Sequence, residues 1–480
     1  MADPPAFFRF RRQASKFLFV RRETTMKRNR LFTSPRPLQL AVAVASIWGV
    51  NVSCAVASSV FVQNCADDGS AGSLRGAIAA ANLDTSIDTV DLTGLPTAPG
   101  CTNSSITLSM GEIPISRASL TIKGPSTNAT LNARGLGRLF GHTGSGTLTV
   151  ENLDLFNGYA YYKTVTARGG CIYSNGSVYL KDSEVGYCYA RSVNGDAEGG
   201  AIFTKGFTTL FRSKVIESST KSFLGAARGG GVFFLGGLRA KYSTLSDNAA
   251  DGDSAFGGAA STTTGATSVY LLNTTVSGNY STDSAGAIAA TVSSNFTLIN
   301  STIANNSAGS EVGGVFMNAP TSLLYNSTIA FNTAAGSAAF FAAGMYISGS
   351  SGSTMKMNSM LISNNVAGAG VPSDLATDNV TTSGTHNLVY ASTSALPGDT
   401  LVGKCPLLAP LSSNGGPTQT LSLRSGSPAI DAGNNVRSPP LGYDQRGAPF
   451  SRLSGAFPDI GALEVGRSDI IFDVGFDGCP

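Results

Sequence analysis

Two histidines and 13% charged side chains are all that this 480-residue sequence offers of the residue types from which most acid–base sites and charged helical solenoids are made. Both histidines, His142 and His386, lie outside its regular repeats, so those repeats hold no imidazole relay. The scarcity of charge, with 57 glycines and many β-branched runs, argues against stacked helices. The apolar stretch Leu38 to Val50 is too short for a stable membrane span. A basic surface is missing too. Of 33 Lys+Arg, ten precede residue 37, against two of the 30 Asp+Glu, which leaves 23 bases and 28 acids after Ala57, a net of −5. That excludes an electrostatic nucleic-acid binder.

What is present is repetition. Gly-Gly or Ala-Gly pairs begin at Gly169, Gly199, Gly229, Gly257, Ala285, Gly313 and Ala343, with spacings of 30, 30, 28, 28, 28 and 30. An apolar residue follows three positions on: Ile172, Ile202, Val232, Ala260, Ile288, Phe316, Tyr346. Two further columns run Leu180, Leu210, Ala240, Leu271, Leu298, Leu324, broken by Lys356, and Val185, Val215, Leu245, Val276, Ile303, Ile329, Leu361. The last two columns stand five residues apart, an odd offset that points side chains to opposite faces of a straight strand. Both are apolar, so the chain must bend between them. The intervening residues, such as Asn273-Thr274-Thr275 and Asn300-Ser301-Thr302, suit a corner. Short β-runs joined by polar corners, repeated about every 30 residues, read as all-β coils of a single-stranded parallel β-helix. Met355 and Met357 beside Lys356 indicate a local change of register, and Asn248, Asn279, Asn306, Asn332 and Asn364 are placed to form a stacked amide ladder.

The front of the chain reads as a secretory signal. Met26-Lys27-Arg28-Asn29-Arg30, the apolar stretch and Ala55-Val56-Ala57 supply its three parts, with cleavage expected after Ala57 and residues 1–25 as an upstream extension. Six cysteines then remain, and disulfides fit an exported chain. Cys65 with Cys101 and Cys405 with Cys479 are the expected pairs; Cys171 and Cys188, half a coil apart, read as too distant. Leu74, Ala77, Ile78 and Ala81 share one face of a short helix capped by Ser73, whose expected role is to cover the open end of the first coil.

Variable loops between the corner and the next glycine pair gather aromatics: Tyr161, Tyr162, Tyr189, Phe223, Phe256, Tyr280, Phe340 and Phe341. They are the candidate ligand platform, with turn-covering contacts as the plainer reading. Asp251, Asp253, Asp283 and Glu311 are the acids from which a calcium set would be drawn; solvated loop acids are the plainer reading there. Arg168, Glu198 and Arg228 precede successive pairs and form a charge ladder. No column of carboxylates suited to glycoside hydrolysis is visible, so no catalytic, cofactor-binding or metal residue is assigned.

The end of the chain departs from the repeats. Cys405-Pro406-Leu407-Leu408-Ala409-Pro410-Leu411, Asn414-Gly415-Gly416-Pro417-Thr418, Gly426-Ser427-Pro428-Ala429-Ile430-Asp431-Ala432-Gly433-Asn434, Asp444-Gln445-Arg446-Gly447 and Asp459-Ile460-Gly461-Ala462-Leu463-Glu464 follow one another. In this order they resemble the choice-of-anchor Q module of exported bacterial β-helix proteins. Ser73-Leu74-Arg75-Gly76-Ala77-Ile78 with Ala81-Asn82 resembles the CSLREA-type segment of the same proteins, with Gly72 and Gly76 where that motif has cysteine and glutamate. The resemblance implies a right-handed, pectate-lyase-like β-helix exported by a Gram-negative bacterium, and it brings no activity.

The expected division is 1–57 extension and signal, 58–105 N-terminal cap, 106–400 coils, 401–466 anchor-type module and 467–480 tail. The expected function is a non-catalytic, adhesin-like surface protein binding extracellular glycans or other polymers, with no nucleic acid and no membrane span. A polysaccharide lyase or glycoside hydrolase is the first alternative, and a structural spacer the second.

Overall fold

The structure, a computed structural model, describes residues 58–98, 101–263, 265–337, 340–434 and 441–466. The expected signal segment and the tail with Cys479 lie outside the described residues. The rest winds as a right-handed parallel β-helix, nearly all-β, with one α-helix. Among the described residues it builds a broad sheet of 19 strands, a second sheet of 12, a third of nine and a short strip of four.

The coil that opens at Gly169 shows the plan. Ile172–Ser174 and Ser177–Lys181 lie in the broad sheet, Glu184–Gly186 in the second, Tyr189–Ser192 in the third and Ala197–Glu198 in the strip. Each main corner is one residue in the left-handed region: Asp182 (φ 50°), Tyr187 (φ 55°) and Gly199 (φ 67°). The first corner falls between the two apolar columns, as their offset requires. Leu180, Leu210, Ala240, Leu271, Leu298 and Leu324 are direct register neighbours, all buried between the broad and second sheets. Burying each leucine stabilises the stack by about 1.5–3 kcal/mol.

The third sheet and the strip leave this core as a thin fin. Its filling is alanine, as in Ala160, Ala167 and Ala190, and again in Ala227, Ala250 and Ala255. The glycine pair belongs to the root of this fin. Gly169 takes a positive φ of 60°, and a Cβ on Gly170 would lie 2.5 Å from the Tyr189 amide nitrogen. Two backbones thus touch across the coil. This contact corrects the expectation for Cys171 and Cys188, which form a disulfide with Cα atoms 5.5 Å apart. Half a coil along the chain is a short distance across a flattened one. Cys65–Cys101 forms as expected, Cys405 is disulfide-bonded, and the two described bridges fit an oxidising compartment.

All three apolar columns slip by one residue in the later coils. Val315 and Met345 continue the column from Ile288, not Phe316 and Tyr346, because Val312 (φ 47°) takes the left-handed corner ahead of Gly313. Further on the corner is Ser359 (φ 52°), not Asn358. Met357 and Ile362 therefore hold the core places, and Lys356 faces outward beside Leu323. The slip at Ser359 moves the amide ladder from Asn364 to Asn365, which donates to Asp374 at its end.

The helix Leu74–Leu83 buries Leu74, Ala77, Ile78 and Ala81, and Ser73 Oγ accepts from the Gly76 amide at 3.1 Å. Asp67 clasps it. Its carboxylate accepts from Arg75 and from the Ser109 and Met110 amides. Burial pushes that carboxyl up, but the Arg75 and amide bonds outweigh it and hold it below its ordinary value. At Gly76 a Cβ would lie 2.1 Å from the Ser70 carbonyl oxygen. Gly76→Glu is accordingly expected to cost about 3 kcal/mol, read as a lower unfolding midpoint by calorimetry; an unchanged midpoint would remove the close contact from the explanation.

Residues 401–434 and 441–466 hold little regular structure and lie on the outer face of the second sheet. Leu408, Leu421, Leu423, Ala429 and Ile460 cover Ala304, Ala330, Leu361 and Leu388. Around this apolar strip the corner residues of the later coils supply polar contacts. Asn273 Nδ2 donates to the Asp444 and Gln445 carbonyls, Asn300 Nδ2 to the Tyr443 carbonyl, and Thr302 Oγ1 to Gln445 Oε1. Thr328 Oγ1 accepts from the Ala462 amide. In earlier coils the positions equivalent to Thr275 and Thr302 are Glu184 and Lys214, an ion pair facing solvent.

Candidate functional site

The aromatic residues of the loops fall in three places. Tyr161 and Tyr189 point outward on neighbouring coils of the fin, Tyr162 meets Arg138, and Phe223 at the fin's edge lies under Arg191 and Lys221 at 4.7 and 5.4 Å. Tyr280 stands three coils beyond Tyr189 in the same file. Phe256 closes the strip at the fin's root, while Phe341 packs edge-on to Tyr346 at 4.7 Å beside a largely exposed Phe340. These rings do not make one continuous platform.

The acids are dispersed as well. Asp251 pairs with Lys221, and burial raises Asp283 and Glu311 above their ordinary values, Glu311 also through Asp283. Among the described residues no three His, Cys, Asp or Glu groups stand close enough to hold a metal ion. Arg168, Glu198 and Arg228 do form the charge ladder, with Arg168 Nε 2.8 Å from Glu198. His142 is wholly buried between Ser174 Oγ at 2.7 Å and the Arg117 carbonyl at 3.0 Å, and burial lowers its pKa. It holds coils together as a neutral ring.

A pocket in the 401–466 segment is lined by Asp431, Asp459 and Glu464. Burial pushes Glu464 up to about 7, helped by Asp459. Its oxygens accept from the Ser454 and Asp459 amides, and those of Asp459 from the Asp431 and Val465 amides. With their lone pairs spent on backbone, these carboxylates fix loops.

A further concavity lies on the outer face of the broad sheet. It encloses about 580 Å³ and runs along the axis over five coils, from Thr147 through Tyr179, Phe207 and Arg239 to Tyr270. Strand alternation builds it. Phe207, Thr209 and Phe211 point outward from one strand while Thr208 and Leu210 point in. Tyr179, Thr209, Arg239 and Tyr270 form one file across coils. Gly237 makes room: a Cβ there would lie 2.5 Å from Phe207 Cε1, so the ring lies flat over the next coil. Arg239 stands 4.4 Å from the Phe207 centroid, and Lys241 5.9 Å from that of Phe211.

No family model, curated protein or solved structure matches this chain.

The chemistry of the groove itself is distinctive. Across the neighbouring coils cations meet acids: Lys181 with Glu151 at 3.4 Å, Arg212 with Asp182 at 2.5 Å, Lys214 with Glu184 at 3.1 Å. Arg239 and Lys241 meet none among the described residues. They stand over rings, and no carboxylate or imidazole lines the groove. Such a surface can stack on flat faces and neutralise negative charge; it offers no pair of acids for glycoside hydrolysis. The sequence reading missed it because it sought aromatics in variable loops. The available signal was the set of outward positions on these strands, aromatic or basic at Tyr179, Phe207, Phe211, Arg239, Lys241 and Tyr270.

Proposed function

We propose that this chain is an exported, adhesin-like surface protein that holds an extended acidic polysaccharide in the broad-sheet groove without cleaving it. The observation that carries this reading is a ring-lined trough whose two cations lack acid partners. Its direction supports a polymer: coils follow at about 4.8 Å, close to the length of one sugar ring, so each coil can face one residue of a chain. Sugar faces lie on Tyr179, Phe207 and Tyr270, and carboxylates or sulfates on Arg239 and Lys241.

Export and attachment belong to the same proposal. The resemblance of 401–466 to a choice-of-anchor Q module, with 58–105 as cap and 106–400 as coils, supports a position at the cell surface or in the medium. The two described disulfides support passage through an oxidising compartment. No helix among the described residues is long and apolar enough to cross a membrane.

Titration calorimetry with oligogalacturonate and with a neutral oligosaccharide of equal length tests the reading. The acidic chain is expected to bind and to weaken with added salt. The Arg239→Ala, Lys241→Ala double variant should lose at least about tenfold in affinity, since each charged hydrogen bond is worth about 1.5–3 kcal/mol. Equal affinity for the neutral chain, or the release of new unsaturated or reducing ends, would overturn it.

A further inference from the structure

Beside the fin, the outer face of the broad sheet carries a file of rings. Tyr173, Phe203 and Phe233 hold one register position in three successive coils and stack at 5.3 and 5.6 Å. The file then breaks. Ser261 and Ala289 take the next two places, and rings resume at Phe316 and Tyr346.

Cations stand on this file's rings, Arg168 from the fin and Arg138 from the coil before it. Arg138 stands 5.7 Å from the Tyr173 centroid and Arg168 5.0 Å from that of Phe203. Arg228 lies two coils beyond Arg168 on the fin, and Ser261 lies two coils beyond Phe203 on the sheet. The Arg228 guanidinium, paired through Nη1 with Asp196 at 2.6 Å and near Glu198 at 3.7 Å, also lines the place where a ring is due and none stands. The space left is a notch of about 180 Å³, with Arg228, Phe256 and Phe316 as walls and Ser261, Ala289 and Thr291 among its lining. Ser261 is 1% exposed, and its Oγ has no hydrogen-bond partner. Buried hydroxyls seldom stay unpaired.

We infer that this notch binds a phenol ring. Its face fills the missing place in the stack beneath Arg228, and its hydroxyl meets Ser261 Oγ. A hydrocarbon ring would leave that hydroxyl unmatched, and a sugar would present no π face to the guanidinium. The site is separate from the groove and does not depend on the polymer proposed there.

The test uses the full chain and saturation-transfer NMR with p-cresol, toluene and glucose. Saturable binding of p-cresol, tighter than toluene and far tighter than glucose, is expected. Ser261→Phe restores the file's own residue type, so it should fold with an equal or higher melting temperature and lose p-cresol binding at least tenfold. Ala289→Phe serves the same purpose should Ser261→Phe fail to fold. Ser261→Ala should weaken p-cresol about three- to tenfold and leave toluene unchanged, and Arg239→Ala should leave p-cresol binding intact. No saturable binding, binding unaffected by either phenylalanine, or a preference for glucose would overturn the inference.

Discussion

Replacing Asn306 by alanine is expected to lower the unfolding free energy by about 3–5 kcal/mol, a large loss for one exposed-looking letter in a polar repeat. Asn306 sits in the middle of a ladder that runs from Ser218 through Asn248, Asn279, Asn306, Asn332 and Asn365 to Asp374. Its Oδ1 accepts from both the backbone and side-chain nitrogens of Asn279 at 3.0 and 2.8 Å. Its Nδ2 donates to Asn332 Oδ1 and to the Val276 and Ala304 carbonyls. Alanine leaves these groups without that partner in a dry interior, and a cavity besides. Asn364, one residue before the ladder's next-to-last rung, sits at a left-handed corner with φ 61°. Asn364→Gly removes side-chain contacts but eases that conformation, and is expected to cost no more than about 1 kcal/mol. Denaturant titrations of the two variants should differ clearly. Equal losses would mean that the ladder does not hold the coils.

The second large effect is a fall in stability as pH rises from 5 to 8. Burial pushes Asp374 up to about 6, against the hydrogen bonds from Asn365 and the Ala391 amide, and Glu464 up to about 7. The unfolded chain releases both protons near pH 4, whereas the native chain keeps them until 6 to 7. Over that window the native state binds more protons, so the contribution is complete below the ordinary values and is lost as pH climbs through the raised ones. Each group accounts for about 3 kcal/mol at most. Asp67 works the other way: held below its ordinary value, it stabilises above that value and stops doing so in acid. Together these place the optimum at about pH 4, near the ordinary carboxylate values, with stability already falling at pH 5. Melting temperatures across the range should drop with rising pH in the wild type and stay nearly flat in the Asp374→Asn, Glu464→Gln double variant. A double variant with the wild-type slope would assign the dependence elsewhere.

The repeats were legible because each column must be apolar in every coil, and so Leu180, Leu210, Leu298 and Leu324 announce themselves. The slips at Val312 and Ser359 were hidden. A glycine pair persists at Gly313-Gly314 although the left-handed residue has moved to Val312, and spacing alone cannot tell which residue adopts that conformation. Half a coil of sequence separates Cys171 from Cys188, while their contact depends on the flatness imposed at Gly170. Asn273, Asn300 and Thr302 looked like corner fillers in a repeat consensus. Their role in seating residues 401–466 follows from which coils that segment covers, a long-range fact with no local signature. The groove shared this difficulty: Tyr179, Arg239 and Tyr270 are far apart in sequence and become one surface only through register.

Hydroxyl-radical footprinting of the intact protein, with and without a polyuronate, locates the bound polymer most directly. Protection is predicted at Tyr179, Phe207, Phe211 and Tyr270, with Tyr161, Tyr162, Tyr189 and Phe223 labelled equally in both states. Protection confined to those fin residues, or none at all, would contradict a groove built to hold an acidic chain.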